Sequence, residues 1–334
     1  MVEQILSDIY RIEIPLPQSP LKALNAYLLK SGDRFLVIDT GWNRQECLDS
    51  MLSGLEELKV DLNKTDFFIT HLHADHMGLI GRLIGKTSRV YLGNVEASVV
   101  ASIRKRPEER YAQLFNMYLT YGFPEAELRS VMENHPGLRY GPSTPVAFCT
   151  LRDGEKIEAG NYTFRCIETP GHSPGHMCLY EERAKILISG DHILFDITPN
   201  ITRWPELENS LGEYLTSLEK VNTLDVELVL PGHRFIMNNH RERIKELQEH
   251  HKRRLDEVRY ALGLGEKTAW EVAPFLSWDI DVPSWESFPP VQKWFALGET
   301  MAHLQYLIHY GTVVCRKHKN RMLFSLQQGE EGRP

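Results

Sequence analysis

The sequence predicts a mixed α/β protein, and three observations carry that prediction. Short apolar strands alternate with amphipathic helices across short connections, the pattern of sheets covered by helices. Three of those strands run into a glycine-flanked polar residue, at Gly171-His172, Gly190-Asp191 and Gly232-His233. With 334 residues, 42% hydrophobic and 25% charged, the chain is long and apolar enough for one large domain and a smaller one.

The elements follow in order. Residues 9–14 alternate in the manner of a half-buried strand, and residues 26–30 and 35–38 flank a Ser31-Gly32-Asp33 turn as a hairpin. Asp39-Thr40-Gly41 ends that hairpin. Cys47, Leu48, Met51, Leu52 and Leu55 recur at helical spacing over residues 44–58. Phe67-Phe68-Ile69 then reads as the end of a buried strand that runs into Thr70-His71-Leu72-His73-Ala74-Asp75-His76.

That last stretch organises the rest. His71, His73, Asp75 and His76 crowd into one short segment, so a tight turn must gather them, and imidazole with carboxylate is a donor set for divalent metals. His71 and His73, two apart, point the same way from extended backbone, whereas Asp75 and His76 turn toward a neighbouring position. Two adjacent cations suit this arrangement better than one. The alternative, a loop that happens to be histidine-rich, is weak when the whole chain has 14 histidines.

After residues 89–92, a further strand, the pattern changes. Residues 94–145 read as a helical insertion, with helices over 107–121 and 124–134 broken by Gly122-Phe123-Pro124. Its apolar positions are unusually aromatic. Tyr111, Phe115, Tyr118 and Phe123 are candidates for a lid that binds substrate, set against the plainer reading of a helical hairpin packed on the domain. Strands at 162–167, 177–180, 185–190 and 226–230 follow, delivering His172, Asp191 and His233.

Beyond His233 the character shifts to a charged helix over 241–262, a short helix over 268–276, a tryptophan- and proline-rich connection, a helix over 297–310 and two strands around Arg316-Lys317-His318-Lys319-Asn320-Arg321. The division predicted is 1–238 for the catalytic unit and 239–334 for a C-terminal helical unit that resembles a winged helix. Its basic tip is the only concentrated positive charge in a chain of net charge −7. Because the 297–310 helix has no Lys or Arg to accompany that tip, nucleic acid is not favoured, and packing or homodimer formation is the preferred reading.

Composition excludes several classes. Cys47, Cys149, Cys166, Cys178 and Cys315 are scattered and odd in number, which argues against a disulfide framework. No apolar run approaches the roughly 20 residues of a membrane span, and the first residues do not resemble a signal peptide, so a cytoplasmic location is expected.

Taken together, His71-x-His73-x-Asp75-His76, His172 after Pro170-Gly171, Asp191 after a strand and His233 after Pro231-Gly232 resemble the ligand signature of the metallo-β-lactamase superfamily. The resemblance covers residues 8–240 and implies a four-layer αββα sandwich with its metals at one edge of the facing sheets. It implies His71, His73 and His172 on one divalent ion, Asp75, His76 and His233 on a second, and Asp191 bridging. Zinc is the expected metal, with iron or manganese also compatible. His73 stands where oxygen-reducing diiron relatives carry Glu, which favours hydrolysis. Asp39 is expected to orient a ligand histidine, His176 and His192 to support ligands, and His135, His240, His250 and His251 to face solvent.

The function this implies is hydrolysis by hydroxide shared between two metals, with Asp75 and Asp191 as catalytic carboxylates and Asp75 accepting the water's proton. A thioester, lactone or other acyl ester is the expected small-molecule substrate, because an aromatic insertion suits acyl chains. A phosphodiesterase or endoribonuclease is the rival enzyme, and a non-catalytic metal-binding scaffold the rival of another class.

Overall fold

The computed structural model describes residues 1–327; residues 328–334 of the predicted C-terminal unit lie outside them. Seven strands form the first sheet in chain order: β1 (Val2–Leu6), β2 (Ile9–Pro15), β3 (Ala23–Ser31), β4 (Arg34–Ile38), β5 (Thr65–Ile69), β6 (Val90–Gly93) and β7 (Cys149–Leu151). The first four pair antiparallel, and β4 to β7 run parallel. A second sheet of five has the order β12-β11-β10-β9-β8, built from β8 (Lys156–Ala159), β9 (Tyr162–Glu168), β10 (Met177–Glu181), β11 (Ile186–Gly190) and β12 (Leu228–Pro231). Strands β13 (Val313–His318) and β14 (Arg321–Leu326) pair separately as a hairpin.

The helices are α1 (Gln45–Glu57), α2 (Ala74–Met77), α3 (Ile80–Leu83), α4 (Asn94–Lys105), α5 (Pro107–Thr120), α6 (Glu125–Asn134), α7 (Pro136–Arg139), α8 (Ser210–Asn222), α9 (His240–Gly263), α10 (Ala269–Val272) and α11 (Pro290–His309). None of the described helices is long and apolar enough to cross a membrane.

Strand periodicity produces the layers. On β3, Ala26 and Leu28 face one core and Tyr27 and Leu29 the other, since successive side chains point to opposite faces. The first core joins the sheet to Cys47, Met51 and Leu55 of α1 and to Ile80 and Leu83 of α3. A second lies between the sheets, where Tyr27, Leu36 and Phe68 meet Phe164, Cys166, Leu179 and Ile188. A third covers the outer face of the second sheet, where Cys178, Tyr180 and Leu187 meet α8, α9 and α11. Helices, sheet, sheet and helices therefore succeed one another as an αββα sandwich.

The third core is continuous across position 238. Leu211, Tyr214 and Leu218 of α8 share it with Leu247 and Val258 of α9, Leu297 and Met301 of α11, and Tyr118 and Leu128 of the helical insertion. Helix α11 begins seven residues before the predicted 297, because Pro290 occupies its first turn, where a missing N–H costs nothing. In the β13–β14 hairpin the turn is only Lys319-Asn320, both at positive φ, as a tight hairpin of mirror-image type requires. Arg316, Lys317, His318 and Arg321, expected at the tip, lie within the strands.

Two expectations are corrected here. His240 and His251, read from the sequence as solvent-facing, are 2% and 0% exposed. The reason for His251 is helical spacing: it falls between Leu247 and Leu255 on the apolar stripe of α9.

Candidate metal centre

The parallel strands deliver their ends to one edge. Asp39 follows β4, His71 follows β5, and the turn opening α4 follows β6, while Asp191 follows β11 and His233 follows β12 across the facing sheet. Glycine is required where these ends crowd. A Cβ on Gly232 would stand 2.5 Å from Asp191 Oδ1 and 2.8 Å from His76 Cε1.

All seven side chains singled out as ligands meet at that edge. His71 Nε2 lies 2.9 Å from His73 Nδ1, which lies 3.0 Å from His172 Nε2. Beside them, His233 Nε2 lies 3.4 Å from Asp75 Oδ2, and His76 Nε2 lies 3.4 Å from Asp191 Oδ1. Asp191 stands between the two groups, its Oδ2 3.7 Å from His172 Nε2 and 3.5 Å from His233 Nε2. The trios His71, His73, His172 and Asp75, His76, His233 each bring their donor atoms close enough to share one ion.

Hydrogen bonds on the outer side of the rings assign their tautomers. His172 Nδ1 donates to the Asn200 carbonyl at 2.9 Å and His233 Nδ1 to the Ala23 carbonyl at 2.7 Å. His76 Nδ1 donates to Asp39 Oδ2 at 2.7 Å. Asp39 also accepts from the Thr70 N–H and the Thr70 hydroxyl, both at 2.8 Å. With its proton given to Asp39, the Thr70 oxygen accepts from His71 Nδ1 at 3.0 Å. Each of these four rings then keeps its Nδ1 proton on the outer side and turns Nε2 inward.

Two of those inward nitrogens lack partners, and so does a carboxylate oxygen beside them. His76 Nε2, His233 Nε2 and Asp191 Oδ1 are buried and form no hydrogen bond, a costly state unless something in that space satisfies them. The charges say what it must be. Burial and the neighbouring imidazoles push His71 well down, and burial takes His73 to about 3. Burial opposes the charge on Asp75 and Asp191 too, yet His233 and His76 hold Asp75 at about 2 and Asp191 well below the usual carboxylate range. His76 is raised despite its burial, by Asp191 and Asp39. The neutral imidazoles of His71 and His73 beside the anionic carboxylates of Asp75 and Asp191, which draw positive charge onto His76, make a place for cations.

Further residues hold the turns. His176 is fully engaged: Nε2 accepts the Asp191 N–H at 3.1 Å, and Nδ1 bonds Thr169 Oγ1 at 2.8 Å. It props the Asp191 backbone and has no lone pair left to face the centre. His192, also buried, has its carbonyl bonded by the Tyr214 hydroxyl at 3.0 Å. Glu96, in the first turn of α4, was not anticipated. Its carboxylate accepts from Leu72 N at 3.1 Å, from Gly175 N at 2.8 Å and from Ser173 Oγ at 2.5 Å, joining the turn of His71 and His73 to the turn of His172. Trp204 was missed as well; it stacks on His73 with centroids 5.8 Å apart and donates its indole N–H to the His172 carbonyl at 2.9 Å.

The four aromatic residues expected to bind substrate divide. Tyr111 and Phe115 are at least partly exposed on α5 and stack 6.3 Å apart. Tyr118 and Phe123 do not line a surface: both are buried, Tyr118 stacked 3.5 Å from Trp294 and Phe123 set 4.7 Å from Trp270. That pair pins the insertion to the C-terminal helices. Arg110 ties the front of α5 to the Trp204 segment through an ion pair with Glu206 at 2.5 Å.

Comparison with known proteins matches residues 21–233 to the family model of the metallo-beta-lactamase superfamily. The probable metallo-hydrolase YqjP of Bacillus subtilis is 26% identical over 317 residues, covering 90% of this chain and 92% of that one. An atrochrysone carboxyl ACP thioesterase of Aspergillus fumigatus is 26% identical over 245 residues, covering 73% of this chain and 61% of the thioesterase. Among solved structures, a metallo-beta-lactamase family protein from Thermus thermophilus aligns with a TM-score of 0.82 at 29% identity, over 97% of this chain and 100% of that one.

Proposed function

We propose that the chain, which belongs to the metallo-β-lactamase superfamily and is a hydrolase of it, cleaves acyl thioesters with two zinc ions, lactones and other acyl esters being chemically adjacent substrates. The observation that carries the two-metal reading is the pair of donor trios joined by Asp191, with the buried atoms His76 Nε2, His233 Nε2 and Asp191 Oδ1 unpartnered at their meeting point. Divalent ions fit these residues. His71, His73 and His172 would hold one, Asp75, His76 and His233 the other, and Asp191 would reach both. Likeness to the thioesterase supports the acyl substrate.

When bound, such a pair of ions supplies a water acidified to near neutrality as nucleophile and an electrophilic contact for the scissile carbonyl. The protein's own groups do the rest. Asp75, an anion at neutral pH, receives the proton given up as the carbonyl is attacked. Trp204 shields the His73 flank from solvent, and Tyr111 with Phe115 offers an apolar wall for an acyl chain.

Phosphodiester cleavage fits less well, because the basic hairpin is partly neutralised and stands without a basic helix. Arg316 is paired with Glu266, and the one lysine of α11, Lys293, is buried and bonded to Glu127 at 3.3 Å. The test is hydrolysis of short- and long-chain acyl thioesters against single-stranded RNA, in wild type and in a variant with Arg316, Lys317, Lys319 and Arg321 neutralised. Thioester turnover unchanged by the neutralisation is the expected result. RNA cleavage alone, weakened by the same changes and by salt, would make the protein a nuclease.

A further inference from the structure

We infer that the C-terminal helices are a working part of the metal centre, with Glu299 of α11 as a positioning residue that sets His172 through Asn200. The inference rests on reading His71, His73 and His172 as a metal-binding trio. His172 is oriented by the bond from its Nδ1 to the Asn200 carbonyl, 2.9 Å long. Asn200 lies between β11 and α8 in a segment without helix or strand of its own. Its carbonyl is only as fixed as whatever holds that segment.

The C-terminal helices hold it. Asn200 Nδ2 donates to Glu299 Oε2 at 3.0 Å, and the Phe295 carbonyl lies 3.4 Å away. The other oxygen of Glu299 is 2.5 Å from Arg254 of α9, and these two charged residues are 5% and 7% exposed. Arg254 is fixed in turn by the Ser277 carbonyl at 2.9 Å and by the face of Trp278, 4.1 Å from its guanidinium. Arg243 of α9 grips the same segment earlier, donating to the Leu194 and Ile197 carbonyls at 2.7 and 2.9 Å. The Gly298 carbonyl receives the Arg203 N–H at 3.1 Å. Trp204 closes the circuit by its bond to the His172 carbonyl.

A buried ion pair adds little net stability over apolar side chains of equal volume. What this one supplies is a fixed acceptor oxygen for Asn200. His250 and His251 also approach Glu299 closely enough to suggest a cation group, but Arg254 already stands there as the positive charge. Glu299 is therefore committed to holding Asn200.

Asn200→Ala removes the amide while keeping the carbonyl, at a half-buried position. In metal-free protein, the His172 Nδ1–H proton resonance should broaden or vanish in Asn200→Ala and Glu299→Ala. Glu299→Gln, which still offers Asn200 an acceptor, should retain it. On zinc titration, the three-histidine site of Asn200→Ala should weaken about tenfold while the Asp75, His76 and His233 site is unchanged. An unaltered resonance with unaltered affinity overturns the inference, and so does equal weakening of both sites, the mark of general loosening. Wild type that takes up no second ion would count against the two-metal reading instead, and the metal-free resonance would still decide this one.

Discussion

Asp39 Oδ2 lies 2.7 Å from His76 Nδ1 and 2.8 Å from Thr70 Oγ1, so one carboxylate oxygen sets the tautomers of two inward-facing histidines, His76 directly and His71 through the Thr70 hydroxyl. The residue that does this sits at φ +60°, in the left-handed region that Asp and Asn tolerate better than other side chains. Its three accepted bonds hold that backbone in place.

Asn shares this backbone tolerance, so Asp39→Asn isolates the carboxylate's role. Its amide gives up one acceptor and turns a donor toward groups that are already donors. Metal affinity at the His76 site should fall roughly 10- to 100-fold, with the thermal transition changed far less. Stepwise zinc titration against a competing chelator measures it; wild-type affinity in the variant would remove Asp39 from the account.

Glu96 gives a pH signature. Burial pushes its carboxyl up from an ordinary 4.5 to about 7, against the opposing bonds from Ser173, Gly175 and Leu72. A carboxyl raised in the folded state binds its proton more tightly there than in the unfolded chain. Its contribution to stability is complete below the unfolded value and is lost as pH rises through about 7. Across that window, urea midpoints of wild type should decline more steeply than those of Glu96→Gln, which has no proton to lose. Parallel pH curves would contradict this.

Tyr118 and Tyr111 lie on the same helix with different tasks. Tyr118→Ala opens a hole against Trp294 and should cost about 3 kcal/mol in chemical denaturation. Tyr111→Ala, at an exposed position, should leave stability nearly unchanged and raise KM for long-chain thioesters more than for short ones. Equal KM changes for both chain lengths would take Tyr111 out of the substrate wall.

Local patterns made much of this readable in the sequence. The crowding of His71, His73, Asp75 and His76, and the repeated strand endings at His172, Asp191 and His233, are features of neighbouring residues, and the side chains involved do gather at one edge. The apolar runs of β3 and β5 likewise foretold strands, and both are buried on their two faces. What escaped was set by distant partners. Glu96 reads locally as an ordinary acid in a helix's first turn, and only the approach of Leu72 and Ser173 reveals it as a clasp. Asn200 acts through a backbone carbonyl, which no residue type announces. Tyr118 and Phe123 carry an aromatic signal that fits a pocket and a core equally, and Trp294 and Trp270 decide it. His251 is different, because its spacing from Leu247 and Leu255 marked it as buried.

The most direct test of the two-metal centre is the metal content of wild type and Asp75→Ala, purified without chelator and measured by elemental analysis beside thioester turnover. Asp75 belongs to one trio only, so its loss should take one ion and nearly all turnover, leaving the three-histidine site filled and the fold intact. Two ions per chain in wild type and one in the variant is the predicted result. Undiminished turnover in Asp75→Ala, or a wild type that binds no metal even after reconstitution, would contradict the account.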